Sequence, residues 1–407
     1  MKRQQAYKFE LLRLTGEQQR KMTCFAGSCR FVYNRALALQ KQNHEAGGQF
    51  VGYVAMAKQL TGWRHDPATE WLAEAPVHPL QQALKDMERA YKNFFAGRAR
   101  FPRFKKKGQR DSFRYPDPKQ VKLDQGNSRI FLPKLGWLRY RNSREVLGVV
   151  KNVTVSQQAG KWFISIQSER DVETPDHPSS SVVGIDMGVV RFATLSDGAV
   201  LEPLNSFKKH QRALCKAQQS LARKVKRSSN WSRQKRKIAK LHARIGNARA
   251  DYLHKASTAI SKNHAVVVLE DLRVKNMSAS AKGTLAEPGN NVRQKSGLNR
   301  SILDQGWGEF RRQLEYKQHW RGGQVIAVPP QNTSRTCPEC GNISADNRKT
   351  QAVFCCVACG FSGHADLVAA NNILRAGLAR IACEVSGAPR PPAAGTLRTD
   401  DAPCAAA

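Results

Sequence analysis

The chain has few acidic residues and no long apolar run. Among its 407 residues are 32 Asp and Glu against 67 Lys and Arg, which gives a formal net charge of +35. Such an imbalance opposes compaction and favours a polyanionic partner, of which nucleic acid is the obvious class. No apolar stretch approaches the roughly 18 to 20 residues that span a membrane, and no basic amphipathic helix stands at either end. We therefore predict a nucleic-acid partner and no membrane partner.

The chain also starts without a secretion signal. The opening MKRQQAYKFELL is basic but has no apolar core and no small-residue cleavage site, so we expect a cytoplasmic protein. Four of the ten cysteines form two CxxC pairs and the rest are scattered. In a reducing compartment this usage favours a metal site over disulfides.

Periodicity divides the N-terminal part into helical and extended regions. Thr15 is placed to cap a helix, and apolar residues then recur at helical spacing from Glu17 to about Gln42 and again from Leu80 to Phe95. Residues 129–168 show short alternating runs separated by Gly, Pro and Asn, which predicts an antiparallel barrel or sheet. The polar stretch Thr174–Ser181 is a predicted linker.

A different pattern begins at Val182. The segment VVGIDMGVVRFATLSDGAV combines a buried strand, a second strand and an Asp197-Gly198 hairpin signal, which is typical of the start of an RNase H-like sheet. The apolar run AVVVL at 265–269 fits a parallel strand buried on both faces. Residues 276–300 are polar and rich in Gly, so we predict a mobile loop there and helix again from Ile302 to Trp320.

Two stretches concentrate the positive charge. Between Arg98 and Arg110 lie seven basic residues and no acid, with Phe101 and Phe104 among them; this suits phosphates plus a stacked base, and a solvated loop is the alternative. Residues 208–249 hold fifteen Lys or Arg and no acid, which predicts two basic helices in a hairpin that contacts nucleic acid. The residues predicted to make these contacts are Arg103, Lys105, Lys106, Lys107, Lys224, Arg227, Lys235, Arg236 and Lys237.

The strongest local signal is a pair of CxxC turns. Cys337 and Cys340 form the first turn, and Cys356 and Cys359 form the second after fifteen intervening residues. Each turn brings two thiolates to one tetrahedral ion, and the Gly after each turn lets backbone amides face the sulfurs. Cys355 competes with Cys356 as a ligand, but only Cys356 keeps the two-residue gap. We predict one structural zinc, which is not catalytic because four sulfurs leave no open position.

Three acidic residues stand where a metal-dependent active site could form. Asp186 ends an apolar strand in GIDMG, Glu270 ends the next buried strand, and Asp366 lies at a helix start in HADLVAANNIL. Carboxylates there can converge on two Mg²⁺ ions, which would activate water and stabilise the leaving 3′ oxygen in phosphodiester cleavage. Each acid alone could instead cap a helix or a turn. Asp271 is the main decoy, since a continuing strand would point it to the opposite face.

These residues lie in blocks by which the sequence closely resembles TnpB, the OrfB-type protein of bacterial insertion sequences and a relative of type V CRISPR effector nucleases. The resemblance covers nearly the whole chain. Its blocks are YKFELLRLTGEQQRKM with RFVYNRAL, AYKNFFAGRARFPRFKKKG, GIDMGV, VVLEDLRVKNM, and QNTSRTCPECG followed by FCCVACG and HADLVAANNI.

The resemblance implies a multidomain α/β fold. It has an oligonucleotide-binding-type wedge β-barrel at 1–16 and 100–173, with a helical recognition insertion at 17–99. An RNase H-like RuvC nuclease core follows at 182–332 and 362–385, interrupted by a zinc-bearing target-nucleic-acid-binding module at 333–361. We expect the tail, 386–407, to be disordered.

The resemblance also assigns the site residues. It implies that Asp186, Glu270 and Asp366 are catalytic and hold magnesium, and that the four cysteines of the CxxC turns hold zinc. The sequence departs from the family in the last block, which commonly reads Asp-Arg-Asp-x-Asn-Ala-Ala. Here His364, Ala365 and Val368 stand at the first, second and fifth positions. Because Asp366 is kept, we expect the chemistry to survive, with metal geometry or rate open to change.

The function implied by the resemblance is that of an RNA-guided DNA endonuclease. Its partners are a guide RNA from the transposon end and double-stranded target DNA next to a short motif, and its place is the bacterial cytoplasm, associated with the nucleoid. Composition and spacing carry no sign of the guide. The alternative is a transposase acting directly in strand cleavage and transfer, which shares the two-metal mechanism. A third function, a non-catalytic repressor, would need a broken acidic triad, and here the triad is intact.

Overall fold

The computed structural model describes residues 1–386, which fold as two compact units. The first unit spans Met1–Glu173 and the second begins at Thr174. The division falls at the start of the predicted linker, 174–181. The predicted disordered tail lies, beyond Ser386, outside the described residues.

The first unit is an antiparallel sheet with three α-helices. Its strands are β1 (Lys2–Leu12), β2 (Ser112–Tyr115), β3 (Lys122–Asp124), β4 (Arg129–Leu132), β5 (Gly136–Tyr140), β6 (Val149–Gln158) and β7 (Lys161–Asp171). Its helices are α1 (Gly16–Glu45), α2 (Tyr53–His65) and α3 (Val77–Phe95), with short 3₁₀ helices at Pro67–Glu74 and Pro118–Gln120. The predicted antiparallel strands and N-terminal helices are therefore present.

The seven strands form an open sheet and not the closed barrel that the resemblance implied. Their order is β2-β6-β7-β1-β5-β4-β3. The long strand β1 pairs with β7 through most of its length and with β5 only at Leu11 and Leu12. Among the described strands no pairing joins the two edges, β2 and β3, which have only four and three residues. Such short edges offer few backbone groups for closing a ring.

Helix α1 begins where its sequence places a cap. The Gln18 amide donates to Thr15 Oγ1, and the Gln18 carboxamide accepts from the Thr15 amide, each at 3.1 Å. This capping box satisfies backbone donors that the first turn leaves free. The helix buries Phe25 against Phe113 of β2, with ring centroids 5.7 Å apart. The predicted cap at Thr15 is confirmed.

The second unit is built on a mixed five-stranded sheet. Its elements are β8 (Val182–Asp186), β9 (Ala193–Leu195), β10 (Val200–Leu201), α4 (Ser206–Ala222), α5 (Ser229–Asn263), β11 (Val266–Glu270), α6 (Val274–Met277), α7 (Val292–Gln305), α8 (Trp307–His319), β12 (Gln324–Val328), β13 (Val353–Cys355), β14 (Ser362–His364) and α9 (Ala365–Ser386). The sheet order is β10-β9-β8-β11-β12, in which β8, β11 and β12 are parallel and β8, β9 and β10 antiparallel. A separate hairpin joins β13 to β14.

Helix α9 packs against β8 and β11 at two glycines. A Cβ atom at Gly184 of β8 would collide with the Ala370 carbonyl oxygen, and one at Gly377 of α9 would collide with the Val268 side chain. The helix backbone therefore touches the sheet directly at these positions, because only a residue without a side chain fits.

The prediction of a loop at 276–300 is wrong in its last part, because helix α7 already begins at Val292. Helix is present from Ile302 to His319 as predicted, with one interruption at Gly306 between α7 and α8. Helix α7 buries only Ile302, Asp304 and Gln305, all near its end, so most of it lacks an apolar periodicity. Gly306 has φ +76°, a left-handed conformation that interrupts a helix.

The predicted basic hairpin is formed by α4 and α5. The chain turns between Arg223 and Ser228, and the Ser228 hydroxyl caps α5 by accepting from the Trp231 amide at 3.1 Å. Across residues 1–386 no helix combines the length and apolarity needed to cross a membrane.

Candidate active site and four-cysteine cluster

Two predicted acids lie at the ends of neighbouring parallel strands. In the β8–β11 pairing Leu269 is opposite Ile185, so Glu270 and Asp186 follow side by side. Asp366 lies in the first turn of α9, which packs against both strands. The carboxyl ends of parallel strands meet at one edge of a sheet, and the start of α9 is brought to this edge. The three predicted residues therefore share one region of the second unit.

Two of the carboxylates, Glu270 and Asp366, act electrostatically on the third, Asp186. Glu270 is buried, and Asp186 and Asp366 are half-buried. Burial, followed by the negative charges of Glu270 and Asp366, raises the pKa of Asp186 to about 7. Burial likewise raises the pKa of Glu270. The site therefore disfavours its own ionised form, which a bound cation would stabilise.

A hydrogen-bond chain holds Glu270 from outside the sheet. The Thr333 hydroxyl donates to Glu270 Oε1 at 2.6 Å. The Asn372 side chain of α9 donates to the carbonyl oxygens of Thr333 and Thr336, at 2.8 Å each. Thr333 and Asn372 were not predicted, although they lie in the segments QNTSRTCPECG and HADLVAANNI. Asn372 lies six residues after Asp366, but the sequence offers no comparable signal for Thr333.

Arg348 is a third residue near the carboxylates that was not predicted from the sequence. Its guanidinium Nη2 lies 3.7 Å from Asp366 Oδ1, and its positive charge partly offsets the effects that raise the pKa of Asp186. Arg348 lies between the two CxxC turns, in a segment with no motif that distinguishes it from a surface arginine. The segment that carries the cysteines therefore also brings a cation to the carboxylates.

The residues that depart from the family pattern have local structural roles. His364 Nδ1 accepts from the Asp366 amide at 3.2 Å and so caps the start of α9. Ala365 and Val368 are buried in an apolar cluster with Phe354 beneath the cysteines. Residues at these positions thus stabilise the helix start that carries Asp366.

The decoy Asp271 lies outside the carboxylate group. Its side chain is 58% exposed and forms an ion pair with Arg311 of α8. The backbone amide of Asp271 donates to the Val328 carbonyl oxygen at 2.8 Å, so the residue continues the sheet pairing beyond Glu270. Because consecutive residues of a strand face opposite sides, Asp271 is directed away from the side that Glu270 faces.

The four predicted cysteines form a compact cluster. Their Sγ atoms all lie within 4.8 Å of one another, with 3.6 Å between Cys337 and Cys359 and between Cys340 and Cys356. The cluster includes Cys356 and not its neighbour Cys355. Within residues 1–386 no other three or more His, Cys, Asp or Glu side chains approach so closely, so the three carboxylates are spread more widely. The arrangement is compatible with one tetrahedral zinc ion.

The two CxxC turns have the same backbone geometry. The Gly341 amide donates to the Cys337 carbonyl and the Gly360 amide to the Cys356 carbonyl, and both glycines have positive φ, +75° and +77°. In the second turn the backbone amide of Cys359 lowers the pKa of the Cys356 thiol to about 6. Amides that face the sulfur favour its thiolate form, as the glycine spacing predicted.

The basic segment of the first unit is fixed to helix α1. The Asn34 side chain accepts from the Lys105 amide at 2.7 Å and donates to its carbonyl at 3.0 Å. Arg103, Lys105, Lys106 and Lys107 are exposed, and the Lys105 ammonium lies 4.0 Å from the Tyr33 ring centroid. The segment therefore presents most of its cations to solvent from an ordered backbone.

In the second unit the predicted contact residues lie around the turn of the α4–α5 hairpin. Lys224 is half-buried, and the exposed residues are Arg227, Lys235, Arg236 and Lys237. The ion pairs of α5 lie further along the helix, at Arg249 with Asp304 and at Lys255 with Asp251. Charge near the turn is thus available to an external anion.

Three family models match parts of the chain. The OrfB_IS605 model, described as "Probable transposase", matches residues 163–281. The "Cas12f1-like, TNB domain" model matches 307–373, which includes the four cysteines. The OrfB_IS605 "Helix-turn-helix domain" model matches 1–49, which form β1 and α1 here.

The chain is similar over its length to curated proteins. It is 62% identical over 383 residues to "Putative RNA-guided DNA endonuclease InsQ" of Escherichia coli (strain K12), with 94% of each chain covered. It is 34% identical over 375 residues to "Putative RNA-guided DNA endonuclease" of Streptomyces pristinaespiralis, covering 91% of this chain and 88% of that one. "CRISPR-associated endodeoxyribonuclease Cas12f1" of Sulfoacidibacillus thermotolerans is 26% identical over 239 residues, which cover 55% and 52%.

A solved structure shares the fold. It is a chain of the cryo-EM structure of the Cas12f1–sgRNA–target DNA complex, with a TM-score of 0.56 and 12% sequence identity over 91% of this chain and 98% of that chain. The multidomain α/β fold with a four-cysteine module is therefore of the Cas12 type.

Proposed function

This chain belongs to the TnpB family of OrfB-type insertion-sequence proteins, and on that premise we propose that it is an RNA-guided DNA endonuclease. The observation that carries the proposal is the convergence of Asp186, Glu270 and Asp366 at one sheet edge, with the pKa of Asp186 raised to about 7 by burial and by the other two charges. Perturbed carboxylates gathered in this way are typical of active sites. The names of the relatives support nucleic-acid cleavage as the reaction.

The three carboxylates fit magnesium. Carboxylate oxygens are the ligands of hard divalent cations. Such cations would also offset the repulsion that Asp186 experiences from the other two carboxylates. Asp186, Glu270 and Asp366 would hold the metal. When bound, two Mg²⁺ ions would supply an activated water and stabilise the leaving oxygen of the phosphodiester.

Other residues of the chain would orient the site and the substrate. Thr333, fixed by Asn372, keeps one oxygen of Glu270 in a set direction. The Arg348 guanidinium beside Asp366 offers hydrogen-bond donors to a phosphate of the bound strand. Both Thr333 and Arg348 come from the segment that carries the cysteines, so this segment would complete the active site.

The four cysteines would hold one structural zinc. Their mutual approach within 4.8 Å and the repeated CxxCG turns support this assignment, and a site closed by four sulfurs leaves no position for catalysis. We assign residues 333–361 to a module that contacts target nucleic acid, because the "Cas12f1-like, TNB domain" model covers them.

The remaining domain assignments support a guided nuclease. The order β10-β9-β8-β11-β12 with α9 against it agrees with an RNase H-like, RuvC-type core at 182–332 and 362–385. We assign 1–16 and 100–173 to the wedge and 17–99 to the recognition insertion. The exposed cations of both units would hold nucleic-acid backbone, while an RNA from the transposon end would read the target sequence beside a short motif.

The test is plasmid cleavage by the purified full-length protein with Mg²⁺. The same plasmid is supplied with a matched guide RNA, with a scrambled guide or with none. We expect cutting only with the matched guide, and only where the target adjoins a suitable motif. Equal cutting in the three reactions would refute guidance and leave a nonspecific nuclease.

A direct transposase is the second candidate, because the OrfB_IS605 family model is described as "Probable transposase". Hydrolysis and strand transfer share the two-metal mechanism. The products distinguish them: supplying transposon-end DNA and a target plasmid should yield cut plasmid without joined strands if the proposed function is right. Joined products that depend on Asp186 would favour the transposase.

A further inference from the structure

We infer that the first unit holds a pocket for an unpaired nucleobase, in a cavity of about 440 Å³ between α1, α3 and the basic segment 98–110. The cavity, called here the aromatic pocket, has five aromatic residues in its lining, Phe50, Tyr91, Phe94, Phe95 and Phe101, and α1 adds polar residues that include Lys41 and Glu45. Its volume falls within the roughly 300 to 1,000 Å³ of small-molecule sites. The inference rests on the proposed function only in taking nucleic acid as the partner.

Three of the five aromatic rings of this pocket are open to solvent, and Tyr91 is buried beneath them. Phe95 is 65% exposed, Phe101 41% and Phe50 40%. Phe50 meets Phe95 edge to face at 5.9 Å between centroids, and Phe94 meets Phe101 in the same way at 5.3 Å. Clustered exposed aromatic surface marks a binding site more often than a solvated face. Nucleobases stack on such rings whatever their sequence, because every base has a π-face.

The rings are held in place before any ligand arrives. Gln40 of α1 donates to the Val51 carbonyl and accepts from the Val51 amide at 3.2 Å, which anchors the segment that carries Phe50. Asn34 of α1 makes its two hydrogen bonds to Lys105, which anchor the segment that carries Phe101. An ordered pocket loses less conformational entropy on binding than a disordered one.

The charge around the pocket favours a nucleotide over an apolar peptide, because Glu45 is the one acid in the lining and cations outnumber it at the rim. Arg98, Arg100 and Arg103 flank Phe101 in the sequence and are exposed, and no acid lies between residues 98 and 110. The Lys41 ammonium lies 5.5 Å from the Phe101 ring and 5.1 Å from the Phe104 ring. Cations next to exposed rings complement the phosphate and the base of one nucleotide together.

The test measures binding by the full-length protein without Mg²⁺, so that no cleavage occurs. Two fluorescent single-stranded probes of about 12 nucleotides are compared, an oligothymidylate and the same backbone without bases. In the double variant Phe95→Leu with Phe101→Leu, apolar volume is kept but stacking is lost. We expect the affinity for oligothymidylate to fall roughly 5-fold or more, with the affinity for the abasic probe unchanged. Oligouridylate is measured in parallel to learn whether RNA or DNA supplies the base.

Two controls make the comparison specific. Trp137→Leu removes a ring that is 42% exposed and lies 4.6 Å from the Arg129 guanidinium, outside the pocket, and should change neither affinity. If the double variant melts at a lower temperature than the wild type, the single variant Phe95→Leu, at the most exposed position, replaces it in the binding comparison. Selective loss with either base-bearing probe supports the pocket. Equal loss on the abasic probe, or no loss on any probe, overturns it.

The outcome is separate from that of the proposed function. Selective loss of base binding together with guide-independent plasmid cutting would retain the pocket and refute guidance. Unchanged base binding together with cutting that requires the matched guide would refute the pocket and retain the proposed function.

Discussion

The four-cysteine cluster and the carboxylate group are two side-chain sets suited to cations, and they are assembled differently. The thiols lie within 4.8 Å of one another, whereas the carboxylates are spread more widely. Burial, followed by the charges of the other two carboxylates, raises the pKa of Asp186. Thiols can approach as neutral groups, but carboxylates close together repel when ionised. The cysteine cluster is therefore preassembled, while the carboxylates would close around their ligand.

The two sets also differ in how far apart in the sequence their residues lie. Two short turns and the β13–β14 hairpin bring the cysteines together. The carboxylates need two strands from distant parts of the sequence and the packing of α9. Local sequence thus specifies the first set, and the tertiary fold specifies the second. Thr333 and Arg348 connect them, since both belong to the cysteine-bearing segment and contact a carboxylate.

The largest expected effect comes from removing a carboxylate. Asp186→Ala, Glu270→Ala or Asp366→Ala should each reduce guided cleavage by about 10³-fold or more, because residues that act as a unit fail together. DNA binding should persist, since these residues would hold metal and not phosphate. Cleavage rates and binding affinities are measured on the same preparations.

Asp271→Ala is the matched control for this loss. Its side chain is exposed and pairs with Arg311, so its removal should cost far less than that of its neighbour Glu270. Substantial cleavage by any of the three alanine variants would show that the metal site is misassigned.

Removing a zinc ligand tests whether the cysteine cluster depends on its ion. Cys337→Ser or Cys359→Ser should unfold the module, because metal binding worth about 10 to 16 kcal/mol in zinc-finger peptides is also folding energy. Elemental analysis should find one zinc per chain in the wild type and none in the variants. Cys355→Ser, next to the cluster but outside it, should retain zinc. Zinc-free wild-type protein with full activity would contradict the assignment. Cleavage should require added Mg²⁺ whether or not zinc is bound.

A smaller effect is expected where the two sets meet. Thr333→Val keeps the shape of the side chain but removes the hydroxyl that donates to Glu270. Partners of this kind typically contribute 10- to 100-fold in metal affinity or activity, so cleavage should fall by about that factor and need more Mg²⁺. Thr333→Ser keeps the donor and should stay close to the wild type. If Val and Ser behave alike, the hydroxyl has no role in orienting Glu270.

The smallest effect on the chemistry should come from the basic hairpin, which lies outside both sets. Replacing Lys235, Arg236 and Lys237 by Ala should weaken binding and lower the slope of log affinity against log salt by about 0.9 per lost phosphate contact to duplex DNA. The cleavage rate at saturating protein should change little. Lys255→Ala, whose ammonium already pairs with Asp251, is the control. An unchanged salt slope in the triple variant would exclude the hairpin from phosphate binding.

Sequence reasoning reached the parts of both sets that follow local rules. The CxxCG spacing identified the cysteines that form the cluster, and strand ends and a helix start located Asp186, Glu270 and Asp366. The family resemblance contributed expectations that spacing could not supply, above all the proposed guide RNA. Thr333 and Asn372 were missed because their roles depend on which surfaces pack together, and a single hydroxyl or amide in a polar segment carries no periodic signal.

Other errors have similarly physical causes. Helix α7 has too few buried residues to show apolar periodicity, so it was predicted as a loop. Closure of the N-terminal strands into a barrel could not be read from alternation, because alternation fixes which side chains share a face but leaves the pairing of edge strands open.

The glycine contacts at Gly184 and Gly377 have a consequence for insertions and deletions. They fix the rotation of α9 about its own axis, because the helix can neither turn nor slide while its backbone lies against β8 and β11. One residue added between Asp366 and Ala370 would leave these contacts in place and rotate Asp366 by about 100° around the helix. The chain should therefore tolerate many replacements on the outer face of α9 but no change of length in its first turn.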